Sequence, residues 1–405
     1  MKHHQQILKS MVLLWMIMVL CYCKPGEEPS EQPPVVEEED TTTWVIEHAQ
    51  PGAPISHIMW GEPVKVSHEV FGAEYPRMLK LGEDTLFLAY HGGDEQNAWD
   101  NIYLRKSFDR GATWSEVEVL MADNDPNYWG FANPEFLELR SGRILMAFTG
   151  RGRPDDNQHD NIQFMYSDDR GTTWSAPRIV ALGRSWEPAM VQHPNGDVLL
   201  FYSSEARWWQ VVPADQTQQE ILMVTSKNDG GSWSLPKSVA YTSGMRDGMP
   251  VPLILKDGKG IAFAIESVNN RDSPWILRSS LSARFQTPGD ISKRLAVPKT
   301  TVNFGGGPYL VQLPTGETIL SCHDTGGRDI GPDWKRNTMY VLIGDAEANN
   351  FSNVSYPFPD LPADEGAFFN ALHVLDEDTV IALGSRYFAD GHTEVHWVTG
   401  QIVRQ

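Results

Sequence analysis

Two glutamates carry most of the chemical weight in this sequence. Glu187, in SWEPAM, opens a strand-like stretch, and Glu266, in IAFAIES, closes one after an apolar run. A pair of carboxylates flanking one sugar bond is the minimum equipment for glycoside hydrolysis: one protonates the leaving oxygen while the other acts as nucleophile or base. Arg77, Glu205, Asp247 and Tyr309 fall near the expected rim, where they could hydrogen-bond sugar hydroxyls. Tyr75 and Asn133 occupy the position of Glu187 in other units of the chain, and Trp186 precedes it. With Trp99, Trp129 and Trp208, Trp186 offers a flat apolar face on which a sugar ring can stack.

No metal or cofactor chemistry is indicated. DNDPN (123–127) lacks the Gly and terminal Glu of a full calcium loop. His159 with Asp155, Asp156 and Asp160 reads as an exposed loop before a strand. No HExxH, phosphate loop or dinucleotide fingerprint occurs.

The elements that must position these groups recur. The stretches YPRMLKLGEDTLFLAYH (75–91), NPEFLELRSGRILMAFT (133–149), EPAMVQHPNGDVLLFYS (187–203), MPVPLILKDGKGIAFAIE (249–266) and GPYLVQLPTGETILSCH (307–323) repeat one pattern, and AFFNALHVLDEDTVIALGS (367–385) is a degenerate sixth copy. Their prolines at 76, 134, 188, 250 and 308 lie 58, 54, 62 and 58 residues apart. Each unit reads as strand, tight turn, strand, then further strands, because alternating apolar residues bounded by SG, NG, DG or TG are the hairpin signal. Helical periodicity is almost absent. Repeated four-stranded units of this length predict an all-β fold, a six-bladed β-propeller of antiparallel blades spanning residues 42–405. The last unit supplies three obvious strands. Its fourth is expected from the N-terminal side, TTWVIEH (42–48) or VKVSHEVF (64–71), closing the ring.

A second repeat lies within the first. SFDRGATW (107–114), SDDRGTTW (167–174) and SKNDGGSW (226–233) sit at the same point of units one to three. There an Asp or Asn can accept backbone N–H bonds, the Gly can take a positive φ, and the Trp can pack between sheets. Equivalent positions in a ring point in different directions, so this motif is expected to be architectural, and chemistry is expected where the repeats differ. The residue before each Pro is such a place, reading Tyr75, Asn133, Glu187, Met249 and Gly307. The end of the second strand is another, reading His91, Thr149, Ser203, Glu266 and His323.

The three boxes resemble the Asp-box, or BNR repeat, of the sialidase superfamily, whose members are six-bladed propellers. YPR, NP, WEP with a downstream YSSE, GMPV ending in a strand-terminal Glu, and GGPY resemble more closely the exo-acting arabinan hydrolases of glycoside hydrolase family 93. That resemblance implies a retaining hydrolase with Glu187 as nucleophile and Glu266 as acid/base. An exo-sialidase is the first alternative, with Arg77, Arg246 and Arg386 as a carboxylate cluster and Tyr309 as nucleophile, although the Arg-Ile-Pro signature of that family is absent after Arg77. A non-catalytic glycan-binding propeller is the second.

Composition narrows the partners. The net charge is −20, with 53 acids against 33 bases and no Lys/Arg run. Such a surface repels polyanions, which argues against nucleic acid; the glycosidase resemblance implies an oligo- or polysaccharide partner, and a monomer is expected. Lys2 and Lys9 precede the apolar run 11–20, which is too short to span a bilayer and reads as an export signal. Leu20 stands three residues before Cys23, so residues 1–23 resemble a lipoprotein signal, with Cys21 or Cys23 lipidated. The acidic, Pro-rich residues 24–41 then form a tether that cannot bury a core. These features predict an exported protein, periplasmic, secreted or held at the cell surface, that meets a membrane only through a lipid anchor. Only Cys322 remains in the folded part.

Overall fold

The computed structural model describes residues 43–68, 71–93, 101–122, 124–153, 157–213, 216–267, 274–285, 295–296, 306–331 and 333–405. Residues 1–42, which include the expected signal and tether, and Trp99, Asp123, Asp155 and Asp156 lie outside them.

The chain folds into six antiparallel sheets, five of four strands and a sixth to which a short extra strand is added. Blade 6 is closed at its outer edge by the N-terminal β1 (Ile55–Trp60) and β2 (Val64–Lys65). Blade 1 contains β3 (Phe71–Leu81), β4 (Thr85–Gly93), β5 (Asn101–Ser107) and β6 (Glu118–Met121). Blade 2 contains β7 (Tyr128–Glu138), β8 (Ile144–Gly152), β9 (Asn161–Ser167) and β10 (Arg178–Leu182). Blade 3 contains β11 (Ser185–Gln192), β12 (Val198–Ser204), β13 (Glu220–Ser226) and β14 (Lys237–Ala240). Blade 4 contains β15 (Asp247–Leu255), β16 (Gly260–Ser267), β17 (Trp275–Ser279) and β18 (Leu295–Ala296). Blade 5 contains β19 (Gly306–Gln312), β20 (Thr318–Asp324), β21 (Thr338–Gly344) and β22 (Ser352–Ser355). The main strands of blade 6 are β23 (Gly366–Val374), β24 (Thr379–Tyr387) and β25 (Thr393–Arg404). First strands touch in the cyclic order β3, β7, β11, β15, β19, β23 and back to β3, so the ring closes.

Burial follows the radial position. Second strands such as β12 and β20 are buried along their whole length, whereas the outermost β6 and β22 are short and largely exposed. Six apolar clusters of described residues lie between successive blades. The pair of blades 1 and 2, for example, shares Phe87, Leu104, Phe136 and Phe148. Apolar burial between sheets holds the ring together, and among the described residues the one cysteine, Cys322, is free.

The closing strand differs in part from expectation. Ile55–Trp60 pairs with β25, joined by Val64–Lys65 from the predicted VKVSHEVF segment, whereas the described part of TTWVIEH forms no strand. Residues 44–52 instead run across the turns at the far ends of three blades. Trp44 meets His193 edge-on, Lys256 pairs with Glu47, and Gln50 N donates to Pro314 O. Turn carbonyls and side chains satisfy this segment without a sheet partner.

The repeated boxes are turns between third and fourth strands. Asp109 Oδ1 accepts from Thr113 N, Asp169 Oδ1 from Thr173 N and Asn228 Oδ1 from Ser232 N, each at 2.8 Å. Gly111 and Gly171 take φ of 89° and 78°. A Cβ at either would overlap an aromatic ring of the preceding blade, Trp397 or Phe87, so these glycines serve interblade packing as well as the turn.

Candidate active site

The residue before each first-strand Pro has the left-handed backbone conformation. Tyr75, Asn133, Glu187, Met249 and Gly307 have φ between 48° and 59°, and Phe369 of the Pro-less sixth unit joins them at 48°. Each sits at a register shift in its sheet. Left-handed non-glycine residues cost of order 1 kcal/mol or more each and cluster at functional sites. Here the conformation recurs in all six blades, at five side-chain-bearing residues and Gly307, which makes the bulge an architectural device of the ring.

The residue preceding each bulge pairs with the end of the second strand: Glu74 with His91, Ala132 with Thr149, Trp186 with Ser203, Gly248 with Glu266, Gly306 with His323 and Phe368 with Ser385. Glu266 is therefore in register with its counterparts. The additional residue of KDGKG is absorbed in the turn Lys256–Gly258, where Asp257 takes φ 58°. In four of these places the strand-end side chain accepts the bulge amide of the next blade. His91 Nδ1 accepts from Asn133 N (3.2 Å), Ser203 Oγ from Met249 N (3.1 Å), Glu266 Oε2 from Gly307 N (2.8 Å) and Ser385 Oγ from Tyr75 N (3.0 Å). A neutral Ser or His suffices for this latch in three blades, so the carboxylate of Glu266 is not required by it.

Glu187 reaches the same neighbourhood from blade 3. Its Oε2 accepts from Ser203 Oγ (2.8 Å) and from Met249 N (2.9 Å), one residue from the Gly248 that pairs with Glu266. Burial raises the pKa of both carboxyls, since an apolar surrounding disfavours the charged form. For Glu266 the charge of Glu187 adds to burial and the pKa rises to about 7. Ser203 and the Met249 amide oppose the rise at Glu187. The arrangement can hold one carboxylate and one carboxylic acid near neutral pH, and neither Oε1 is used by these bonds.

The remaining sequence candidates are spread over two layers. Tyr75 is buried at the mouth, with its ring edge against Phe369 (5.4 Å). Asn133 is also buried, and its amide is bound by His91. Two residues deeper, Arg77 is 2% exposed rather than at a rim. Its Nε donates to Glu135 (2.9 Å), Nη1 donates to Pro76 O (2.8 Å), and its guanidinium lies 3.9 Å from the Tyr75 ring centroid and 4.9 Å from that of Tyr309. Tyr309 hydrogen-bonds Glu135 as well. Arg77, Glu135 and Tyr309 thus fill the channel below the carboxylates. Asp247 is fully buried and accepts from Ser267 Oγ (2.8 Å). Glu205, also buried rather than at a rim, joins Arg184 (2.9 Å) to Arg246 (2.5 Å).

The Trp186 ring, expected to meet sugar, has two guanidiniums over it, Arg151 at 4.2 Å and Arg184 at 4.6 Å. Arg184 lies 3.7 Å from the Trp209 ring as well. This cation–π stack braces the residue next to Glu187. Trp208 is buried against Tyr241, and Trp129 is half-buried. Asp125 caps the amide of Asn127, and Asp160 accepts from Gly152 N. Among the described residues no group of three His, Cys, Asp or Glu side chains is placed to hold a metal ion. Sequence reasoning missed Phe369, because its unit lacks the marker Pro, and also Arg151, Arg184 and Trp209, which no motif marks.

Two family models fall on these repeats: a BNR repeat-like domain matches residues 142–284, and a BNR repeat-containing family member matches 53–198. The chain is a six-bladed propeller with BNR-type repeats. No curated protein matches its sequence. Among solved structures, a protein of unknown function from Dyadobacter fermentans is 19% identical with a TM-score of 0.67, the alignment covering 86% of this chain and all of that one. An alpha-L-arabinofuranosidase from Fusarium graminearum, in complex with an iminosugar inhibitor, is 20% identical with a TM-score of 0.62, covering 84% and 98%. The NanB sialidase from Streptococcus pneumoniae is 11% identical with a TM-score of 0.59, covering 89% and 71%. At these identities the likeness is one of fold.

Proposed function

We propose that this protein is an exo-acting, retaining glycoside hydrolase whose substrate is arabinan or a related glycan. The observation that carries the reading is the coupled pair: two buried carboxyls from adjacent blades, one with a pKa near 7, at the mouth of a closed channel. Glu187, ionised and held through Oε2 by Ser203 and the Met249 amide, attacks the anomeric carbon. Protonated Glu266, held by the Gly307 amide, gives its proton to the leaving oxygen as the glycosidic bond breaks. Glu266 is then the base that takes a proton from water, whose oxygen displaces Glu187 and restores the sugar hydroxyl.

The sugar class rests on the WEP, GMPV and GGPY stretches and on structural likeness. Besides the Fusarium enzyme, an alpha-L-arabinanase from Penicillium chrysogenum complexed with arabinobiose shares the fold, with 19% identity and a TM-score of 0.58 over 86% of this chain and 98% of that one. A sialidase reading needs three arginines free to grip a carboxylate. Arg77, Arg246 and Arg386 are engaged instead by Glu135, Glu205 and Glu365. The test is turnover of aryl α-L-arabinofuranosides, arabino-oligosaccharides and sialyl-lactose by the wild type and by Glu187→Gln. Arabinoside turnover with retained anomeric configuration, lost in the variant while ligand binding persists, is the expected outcome. Turnover that survives Glu187→Gln overturns the assignment, and glycan binding without turnover by the wild type makes the propeller a lectin.

A further inference from the structure

Trp334 is the one exposed tryptophan among the described residues, 40% accessible on the short turn Trp334–Arg336 between β20 and β21. That connection follows the strand end bearing His323, so it lies on the face of the ring where Glu187 and Glu266 meet. Its ring packs against Phe368 (centroids 5.1 Å apart) and Phe369 (5.4 Å), and Phe369 is the sixth mouth residue, itself against Tyr75. An aromatic wall therefore runs from the mouth outward on the side of blades 5 and 6, while Glu187 stands on blade 3, opposite blade 6 in the ring.

The wall is held firmly. Arg328 donates to five backbone carbonyls, those of Thr325 (3.0 Å), Arg336 (2.5 Å), Leu361 (3.4 Å), Pro362 (2.8 Å) and Glu365 (3.0 Å). Ala367 N donates to Asn337 O (2.7 Å), and a Cβ on Gly366 would overlap the backbone of Lys335. A large apolar ring kept in water on a stitched loop is preorganised for a flat ligand, and a rigid aromatic loses little entropy on binding.

The geometry points to Trp334, backed by Phe368 and Phe369, as a stacking subsite for a sugar unit remote from the bond that Glu187 and Glu266 cleave. This rests on the hydrolase reading above, which it deepens by giving the site a preference for longer chains. The apolar face of a pyranose or furanose ring lies on the indole, and the channel mouth holds the reacting end.

The test compares full-length wild type, Trp334→Ala and Trp334→Phe on an aryl α-L-arabinofuranoside and on linear arabino-oligosaccharides of increasing length. Trp334→Ala is expected to lower kcat/KM on the longer chains about tenfold more than on the aryl glycoside, with most of the loss recovered in Trp334→Phe. Equal effects on short and long substrates overturn the subsite, provided thermal unfolding shows that both variants fold. If the wild type hydrolyses neither substrate, the hydrolase reading fails separately. Calorimetric titration of arabinohexaose into the wild type and Trp334→Ala then decides the platform: weaker binding by the variant supports it, and equal or absent binding to both overturns it.

Discussion

Replacing Glu266 by Gln removes a titration while keeping an oxygen that can accept from Gly307 N. Burial, together with the charge of Glu187, raises the Glu266 pKa from an ordinary 4.5 to about 7 in the folded protein. A carboxyl whose pKa is raised on folding favours the native state only while protonated. That contribution is complete below pH 4.5 and is lost as the pH rises through 7. A rise of that size corresponds to a few kcal/mol in all, most of it lost between pH 5 and pH 8. Urea unfolding of wild type and Glu266→Gln across that interval isolates the group, because every other titration is common to both. The stability of the variant relative to wild type should rise by a few kcal/mol, on the order of 2–3, from pH 5 to pH 8. Glu187→Gln, which removes the neighbouring charge, should move the wild-type fall to lower pH. A difference between Glu266→Gln and wild type that stays flat over the interval would refute the claim that the two carboxyls share one buried, repulsive site.

Ser203→Ala removes a donor that favours the ionised form of Glu187. The acidic limb of the kcat/KM profile should move to higher pH and kcat should fall about tenfold, with recovery in Ser203→Thr; an unmoved limb means that Ser203 only latches the blade. In the box of blade 2, Asp169→Asn should cost less stability than Asp169→Ala, because Asn228 makes the equivalent bond in blade 3; thermal unfolding compares them, and kcat should be unchanged in both.

The fold was legible because five of the six units carry a Pro after the bulge, and four of those five add a turn dipeptide between their first two strands. The positions of Glu187 and Glu266 were legible as departures at equivalent places in the repeat. Burial was harder to read. Arg77 looks like a ligand group until its partner is seen to be Glu135, the residue at the same position of the next unit, whose carboxylate reaches it across the blade boundary at 2.9 Å. Opposite charges at one repeat position of successive units were the available signal. Phe369 and Trp334 left no such trace: one lies in a unit that lost its Pro, the other in a connection of blade 5 with no counterpart in the repeat.

The geometry also explains why a carboxylate could be recruited here without rebuilding the ring. Every blade places a residue of left-handed conformation at its bulge, and four are seen to offer an acceptor for the amide of the next blade. A Glu at the strand end meets the second requirement through one oxygen and leaves the other for chemistry. A Glu at the bulge meets the first and leans on the neighbouring Ser and amide. The energetic cost of gathering both falls on the ionisation of Glu266, and holding that proton near neutral pH is what an acid catalyst requires. The same burial that weakens the folded state as the pH rises from 4.5 to 7 therefore keeps the proton that the proposed mechanism needs. For that reason, the pH at which the stability gain of Glu266→Gln over wild type levels off should coincide with the basic limb of the wild-type rate profile.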